Sequence, residues 1–322
     1  MSAARFRLSK IQLRQMARVA VIDTGTNSTR LLIADVTDGS VQELLRQTTV
    51  TRLGEGVDET RRLGSRARLR VSACVEAYEE EIRRFNVDKT IIIATSSVRG
   101  AADGPEFLKD LAQRFHMSYK LLSGQEEAAL GFQGAALGLE GPQRLLLLDV
   151  GGGSTEIAAG MSGGEPDYCV SLDLGCVRLT ERFFKSDPPA DDEIKASLHF
   201  IRKVFDERMD RSRAGEFEAA VGVAGTATAL AAIDLGLKEY DRDAVHGHTI
   251  SRNRIDGLCR SLKAKTAAHR VTAYSLEPGR ADVIVAGTLI VLQLMEYFDI
   301  HELKISERDI LDGAARWFVR IR

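Results

Sequence analysis

Two stretches of this chain repeat one another, and the repeat limits the architecture more than any other feature. With Asp23 set on Asp149, residues 23–30 (DTGTNSTR) and 149–156 (DVGGGSTE) align without a gap, and the Asp, Gly, Ser and Thr at Asp23, Gly25, Ser28 and Thr29 recur at Asp149, Gly151, Ser154 and Thr155. Each window follows an apolar run and precedes another, VAVI and LLIADV around the first, LLLL and IAAG around the second. Apolar and β-branched residues on both sides of a small-residue turn read as a hairpin, so the pattern predicts hairpins over 19–36 and 145–160. A supersecondary unit met twice in 322 residues, more than one core usually takes, predicts a duplicated two-domain fold. The default ligand site of such a fold is the cleft between its halves.

Around the hairpins, helical and strand patterns alternate. A helix is expected through Tyr78 and Phe85, and a buried strand in TIIIATSSVRG (90–100) runs into a Ser/Arg loop. A helix with Phe107, Leu108, Leu111 and Phe115 at helical spacing follows, then a short strand in YKLL and a helix over 123–139. LGCVRLTERFF is a Gly/Arg segment leading to a turn and a helix start, VGVAGTATALAAI (221–233) a strand, Gly/Thr turn and helix, and 280–298 a long apolar-faced helix. The class is α/β, in two duplicated domains. The expected division is 19–121 with 299–322 in the first domain and 122–298 in the second, and 1–18 form a basic leader with Arg5, Arg7, Lys10, Arg14 and Arg18 and no acid. No apolar run reaches the about 18 residues that span a bilayer, so no membrane partner is expected. Cys74, Cys169, Cys176 and Cys259 show neither CxxC spacing nor disulfide density, which fits a reducing, cytoplasmic compartment. Lys plus Arg number 44 against 46 Asp plus Glu, so no global field draws nucleic acid or another polyanion. An anionic ligand has to be held locally.

The turns carry the means to do so. In 149–156, Gly151, Gly152 and Gly153 let backbone approach a ligand, successive N–H groups form a concave anion site, and Ser154 and Thr155 add hydroxyls. The alternative is a hairpin turn that needs positive φ. Asp149 enters the turn and Glu156 leaves it, and two carboxylates beside phosphates call for a cation of the Mg²⁺ type; without one they are solvated strand ends. Asp23, Gly25, Thr26, Asn27 and Ser28 form the partner turn, with Arg30 where the second hairpin has Glu156. Arg30 either grips phosphate or pairs with Glu156 or Asp23. Ser123 and Glu126 form a capping box, which leaves Glu127 without a capping role and placed to orient an attacking water; its alternative is a second acid stabilising the helix dipole. Arg99, Arg178 and Arg280 adjoin small-residue loops suited to an anion, though such arginines are most often surface groups. His246 and His248 lack a third ligand for zinc. Tyr274 and Trp317 read as packing residues.

The segments IDTGTNSTRLL, ATSSVR, SGQEEA, DVGGGSTE, LGCVRLTE, AGTATAL, VHG and RADVI, in that order, resemble the motifs of the exopolyphosphatase/guanosine pentaphosphatase family, a branch of the actin, hexokinase and Hsp70 superfamily. The resemblance implies two ribonuclease H-like domains closing on a cleft, with Glu127 as the catalytic base, Asp149 and Glu156 serving the metal, and Gly151, Gly152, Gly153, Ser154, Asn27 and Arg99 holding phosphate. It implies inorganic polyphosphate or pppGpp as the substrate partner, with a homodimer among the assemblies allowed. Two departures bear on substrate choice. DILDG at 309–313 stands where the family has a Gly-Leu-Arg-Glu-Gly run, and Ala224 replaces a glycine before Gly225. Three readings stay open: an exopolyphosphatase, a pppGpp 5′-phosphohydrolase, and a nucleotide- or polyphosphate-binding sensor without turnover.

Overall fold

The computed structural model describes residues 16–37, 40–138 and 141–320. The expected leader lies outside the described residues up to 15, and its last member belongs to the fold: Arg18 sits in β1 (Ala17–Thr24) and pairs with Asp35 at 2.8 Å.

The first sheet comprises β1, β2 (Ser28–Thr37), β3 (Ser40–Val50), β4 (Lys89–Ala94) and β5 (Ser118–Leu121) in the order β3-β2-β1-β4-β5. The second comprises β6 (Arg144–Val150), β7 (Thr155–Met161), β8 (Tyr168–Leu172), β9 (Ala219–Val223), β10 (Thr249–Ser251) and β11 (Glu302–Ile305) in the order β10-β11-β9-β6-β7-β8. Read from the third hairpin strand, the second sheet repeats the first and adds β10 at its edge. In both, an antiparallel meander continues into two parallel strands. The two hairpins keep the register expected from the repeat: Asp23 faces Arg30, and Asp149 faces Glu156.

Both faces of β6 are covered, which is why its sequence is a continuous leucine run rather than an alternating one. Leu146 and Leu148 join the large core under the apolar helix Ile284–Tyr297, while Leu145 and Leu147 meet Ala128, Phe132 and Ala135 of the helix Gly124–Ala135. On the first sheet, Ala20, Ile22 and Ile92 pack under the helices Ser65–Arg84 and Gly104–Arg114, and Val19, Val21 and Ile91 pack under the helix Ile310–Arg320.

The last expected segment of the first domain, 299–322, divides. Strand β11 pairs with β9 in the second sheet, and only the helix Ile310–Arg320 returns to the first. That helix crosses Gly124–Ala135 closely. A Cβ on Gly134 would lie 1.7 Å from the Asp309 carbonyl oxygen, and one on Gly313 would lie 2.0 Å from that of Leu130. Two backbone-tight contacts thus bind the halves along one helix pair.

An expected Ser/Arg loop and an expected Gly/Thr turn are both helical. ATSSVR enters a one-turn helix, Ser96–Gly100, and AGTATAL begins the helix Ala224–Asp234 directly after β9. The direct entry is made by Ala224, whose φ of 61° lies in the left-handed region that favours glycine.

Candidate active site

The two turns close with the same bond: the Gly25 N–H donates to the Ser28 carbonyl and the Gly151 N–H to that of Ser154, both at 3.0 Å. None of Gly25, Gly151, Gly152 or Gly153 has positive φ, so the backbone-conformation reading of these glycines fails. Space explains them instead. A Cβ on Gly152 would stand 3.0 Å from Thr26 Cβ, and one on Gly153 2.6 Å from Thr26 Oγ1 and 2.8 Å from Ser96 Oγ. The turns abut one another across the two halves, so part of the close approach expected for a ligand is made by the partner turn. Arg178 supports this contact from behind, its Nε donating to the Gly153 carbonyl at 3.0 Å while its far end pairs with Asp58.

Beside the paired turns lies a cavity of about 370 Å³. Its floor includes Gly25 to Ser28 and Gly151 to Ser154; Asp23, Arg30, Glu127, Asp149, Glu156 and Arg280 also face it. The first helical turn after Ser123 delivers Glu127 here. The Ser123 hydroxyl accepts from the Glu126 N–H at 3.2 Å, and the Glu126 carboxylate accepts from the Ser123 N–H at 2.8 Å, completing the expected capping box. Glu127 points inward, 11% exposed, and accepts from Arg99 Nη1 at 3.0 Å. The same Nη1 donates to the Leu122 carbonyl at 2.8 Å.

The carboxylates here hold protons far above the usual range. Burial pushes Glu127 up to about 8; Arg99 opposes this, and Asp149 and Asp23 add to it. Asp149 rises to about 7, again chiefly through burial, opposed by Arg30 and assisted by Asp309 and Asp23. Glu156 is raised well above its ordinary value by burial, then by Glu127 and Asp149, although Ser171 donates to it at 2.7 Å. These are three buried acids short of positive charge.

Around Arg30 the balance differs. Its Nη2 and Nε donate to Asp23 Oδ2 at 2.7 and 3.1 Å, and its Nη1 pairs with Asp309. Of the two readings of Arg30, the structure shows the ion pair, with Asp23 rather than Glu156. Arg46 of β3 extends the network to Asp309 at 3.3 Å and Asp312 at 2.6 Å. Burial works to raise Asp309, but Arg30 and Arg46 hold it below the ordinary range. Sequence reasoning missed both Asp309 and Arg46. Asp309 opens the DILDG run, which drew notice for the arginine it lacks rather than the acid it gains, and nothing but strand register brings Arg46 to the cavity.

Two expected phosphate groups stand elsewhere. Thr155 is fully buried and its hydroxyl donates to the Leu174 carbonyl at 2.5 Å, so that hydroxyl serves the core. Arg99 is held on Glu127 and takes no part in the cavity lining. His246 accepts from the Glu307 N–H and His248 pairs with Asp234 at 2.8 Å. Tyr274 lines the cavity while its hydroxyl meets Ser261, and Trp317 instead carries Lys120 against its ring.

Two copies of one sheet topology, joined at paired Gly/Ser turns over a pocket of buried carboxylates, define the class: a duplicated α/β fold with an anion-type site between its halves. The family model for Ppx/GppA phosphatases matches residues 32–314, and the chain belongs to that family. Exopolyphosphatase 2 of Mycobacterium tuberculosis is 36% identical over 319 residues, covering 93% of this chain and 98% of that one. The solved Aquifex aeolicus member of the Ppx/GppA family superposes with a TM-score of 0.79 at 30% identity, covering 95% and 98% of the two chains. A solved exopolyphosphatase-like protein reaches a TM-score of 0.88 at 31% identity over the same shares. The chain is a hydrolase of phosphoanhydride bonds. No helix among the described residues is long and apolar enough to cross a membrane.

Proposed function

We propose that the chain is an exopolyphosphatase of the cytoplasm that releases terminal orthophosphate from inorganic polyphosphate by attack of water. The carrying observation is that Glu127, both Gly/Ser turns and the Asp149–Glu156 pair face one cavity. Glu127 in its ionised form accepts the proton of the attacking water: a carboxyl whose pKa is raised to about 8 is, once ionised, a stronger base than an ordinary carboxylate. Arg99 fixes its orientation. N–H groups of the two turns, with Ser28 and Ser154, bind the terminal phosphate, and Arg280 meets the chain beyond it.

The donor set fits a hard divalent cation. Asp149 and Glu156 face one another across β6 and β7 with their pKa values raised by burial and by neighbouring acids, and Asp23 Oδ1 is buried without a partner. Two carboxylates facing one cavity are a donor set of the kind Mg²⁺ shares with waters and substrate phosphate. Asp149 and Glu156 would hold it, and when bound it supplies charge neutralisation at the phosphoryl oxygens.

A pppGpp 5′-phosphohydrolase is the second reading, favoured by the aliphatic and aromatic side chains of Leu237, Tyr240, Tyr274 and Leu276 in the cavity lining, which suit a base more than a bare phosphate chain. Phosphate release from polyphosphate, pppGpp and ATP, measured side by side with Mg²⁺, tests both. Polyphosphate is expected to turn over fastest; preference for pppGpp reverses the order, and no release from any of them overturns the hydrolytic reading.

A further inference from the structure

Arg270 is one of the largest side chains that the fold buries completely, at 1% exposure. Burying a guanidinium costs several kcal/mol unless its donors are met, and an apolar side chain of similar volume often packs as well or better. What the guanidinium does here is join two carbonyls. Its Nε donates to Leu262 at the end of the helix Arg252–Lys263, and its Nη1 to Ala281 at the end of the one-turn helix Pro278–Ala281, both at 2.9 Å. Nη2 is buried without a hydrogen bond, 3.6 Å from Asp187.

A four-residue helix does not hold itself, and this one is fixed from two sides. From within, Arg270 holds Ala281. From across the cleft, the Asn27 amide donates to the Gly279 carbonyl at 3.2 Å, and Arg52 pairs with Asp282 at 2.5 Å. Gly279 sits so close to β3 that a Cβ there would lie 2.6 Å from Val50 Cγ1. Between these ties stands Arg280. Its guanidinium lies on the first turn of the helix Ala224–Asp234, where a Cβ on Gly225 would be 1.9 Å from Nη1. Among the described residues no carboxylate ion-pairs with it. A cation beside a helix N-terminus is unfavourable until an anion satisfies both.

We infer that Arg270 is a positioning residue for substrate binding: by holding the Ala281 carbonyl it fixes the Pro278–Ala281 turn so that Arg280 faces the phosphate chain. The inference rests on the reading of Arg280 as a phosphate contact. Orthophosphate release from polyphosphate is measured with the full chain and its Arg270→Met, Arg280→Ala and doubly substituted forms. Arg280→Ala and Arg270→Met should each raise KM about tenfold, the order of one charge-assisted hydrogen bond, with kcat within about twofold. The double variant should be no worse than Arg280→Ala alone. Unchanged KM in Arg280→Ala removes the phosphate contact itself. Raised KM there but not in Arg270→Met, or two effects that multiply, overturns the positioning role. If Arg270→Met does not fold, Arg52→Ala loosens the same turn from its exposed side. Its KM should rise in the native background and not in Arg280→Ala, and unchanged KM in both contradicts the inference.

Discussion

The turns at 23–30 and 149–156 share a closing hydrogen bond, a register and a place in the sheet, and they differ in charge. In the first, the position facing Asp23 is Arg30, and Asp309 and Arg46 complete a buried network in which cation and carboxylate alternate. In the second, the position facing Asp149 is Glu156, Glu127 adds a third acid, and burial raises all three carboxyls above their ordinary range. One scaffold used twice has been split into a half whose carboxylates are ion-paired with arginines and a half that waits for positive charge from outside. The second is where a cation and a proton-accepting carboxylate are of use, and the first supplies the rigid wall on which they act.

The widest break in this comparison comes from removing the unbalanced pair. Asp149→Ala with Glu156→Ala should lower Mg²⁺-stimulated phosphate release by about a thousandfold, the several kcal/mol a metal contributes at a phosphoryl centre. Full activity of the native chain in excess chelator contradicts the metal assignment. Breaking the balanced half acts on stability instead. Arg30→Met leaves Asp23 and Asp309 buried without their shared cation and should cost about 3–5 kcal/mol in urea unfolding. Adding Asp309→Leu should recover part of that loss, and a neutral Arg30→Met would show that the network does not bind the halves.

The unbalanced half also predicts a pH response in the metal-free chain. Glu127 and Asp149 release their protons near 4.5 and 3.8 when unfolded but near about 8 and about 7 when folded. Between those limits the folded state binds more protons, so stability is full at the acid end and falls as pH rises through the folded values. Thermal unfolding in chelator should show a lower Tm at pH 8 than at pH 5.5, a loss of up to about 5 kcal/mol in stability, and Mg²⁺ should restore it at pH 8. A Tm that is flat or rises over this range contradicts the proton-rich site. The smallest effect is expected at Glu126, which accepts from Ser123 and Lys120 outside the cavity. Glu126→Gln should cost about 1 kcal/mol or less, with turnover unchanged.

Much of this was legible in the sequence because the turns are local. Asp23, Asp149, Glu156 and the capping box at Ser123 sit in short motifs whose geometry follows from nearby residues. The glycine triplet was legible as necessary but not for its reason, since Gly152 and Gly153 make way for Thr26 and Ser96 from the other half of the chain. Arg46 and Asp309 were hidden for the same cause: their partners are more than 200 residues away or on a different strand, and only the closed sheet brings them together. Thr155 went astray because a hydroxyl in a phosphate-type turn has an equally good use in the core, and sequence alone does not say which carbonyl it faces.

The hydrolytic mechanism depends most on Glu127 as the proton acceptor. Glu127→Gln keeps shape and hydrogen bonding but removes the basic oxygen, and the turns are left as they are. Turnover of polyphosphate should fall by about a hundred- to ten-thousandfold, with binding of the substrate unchanged or tighter because a negative charge has left the site. A Glu127→Gln chain that retains most of its turnover would contradict the mechanism.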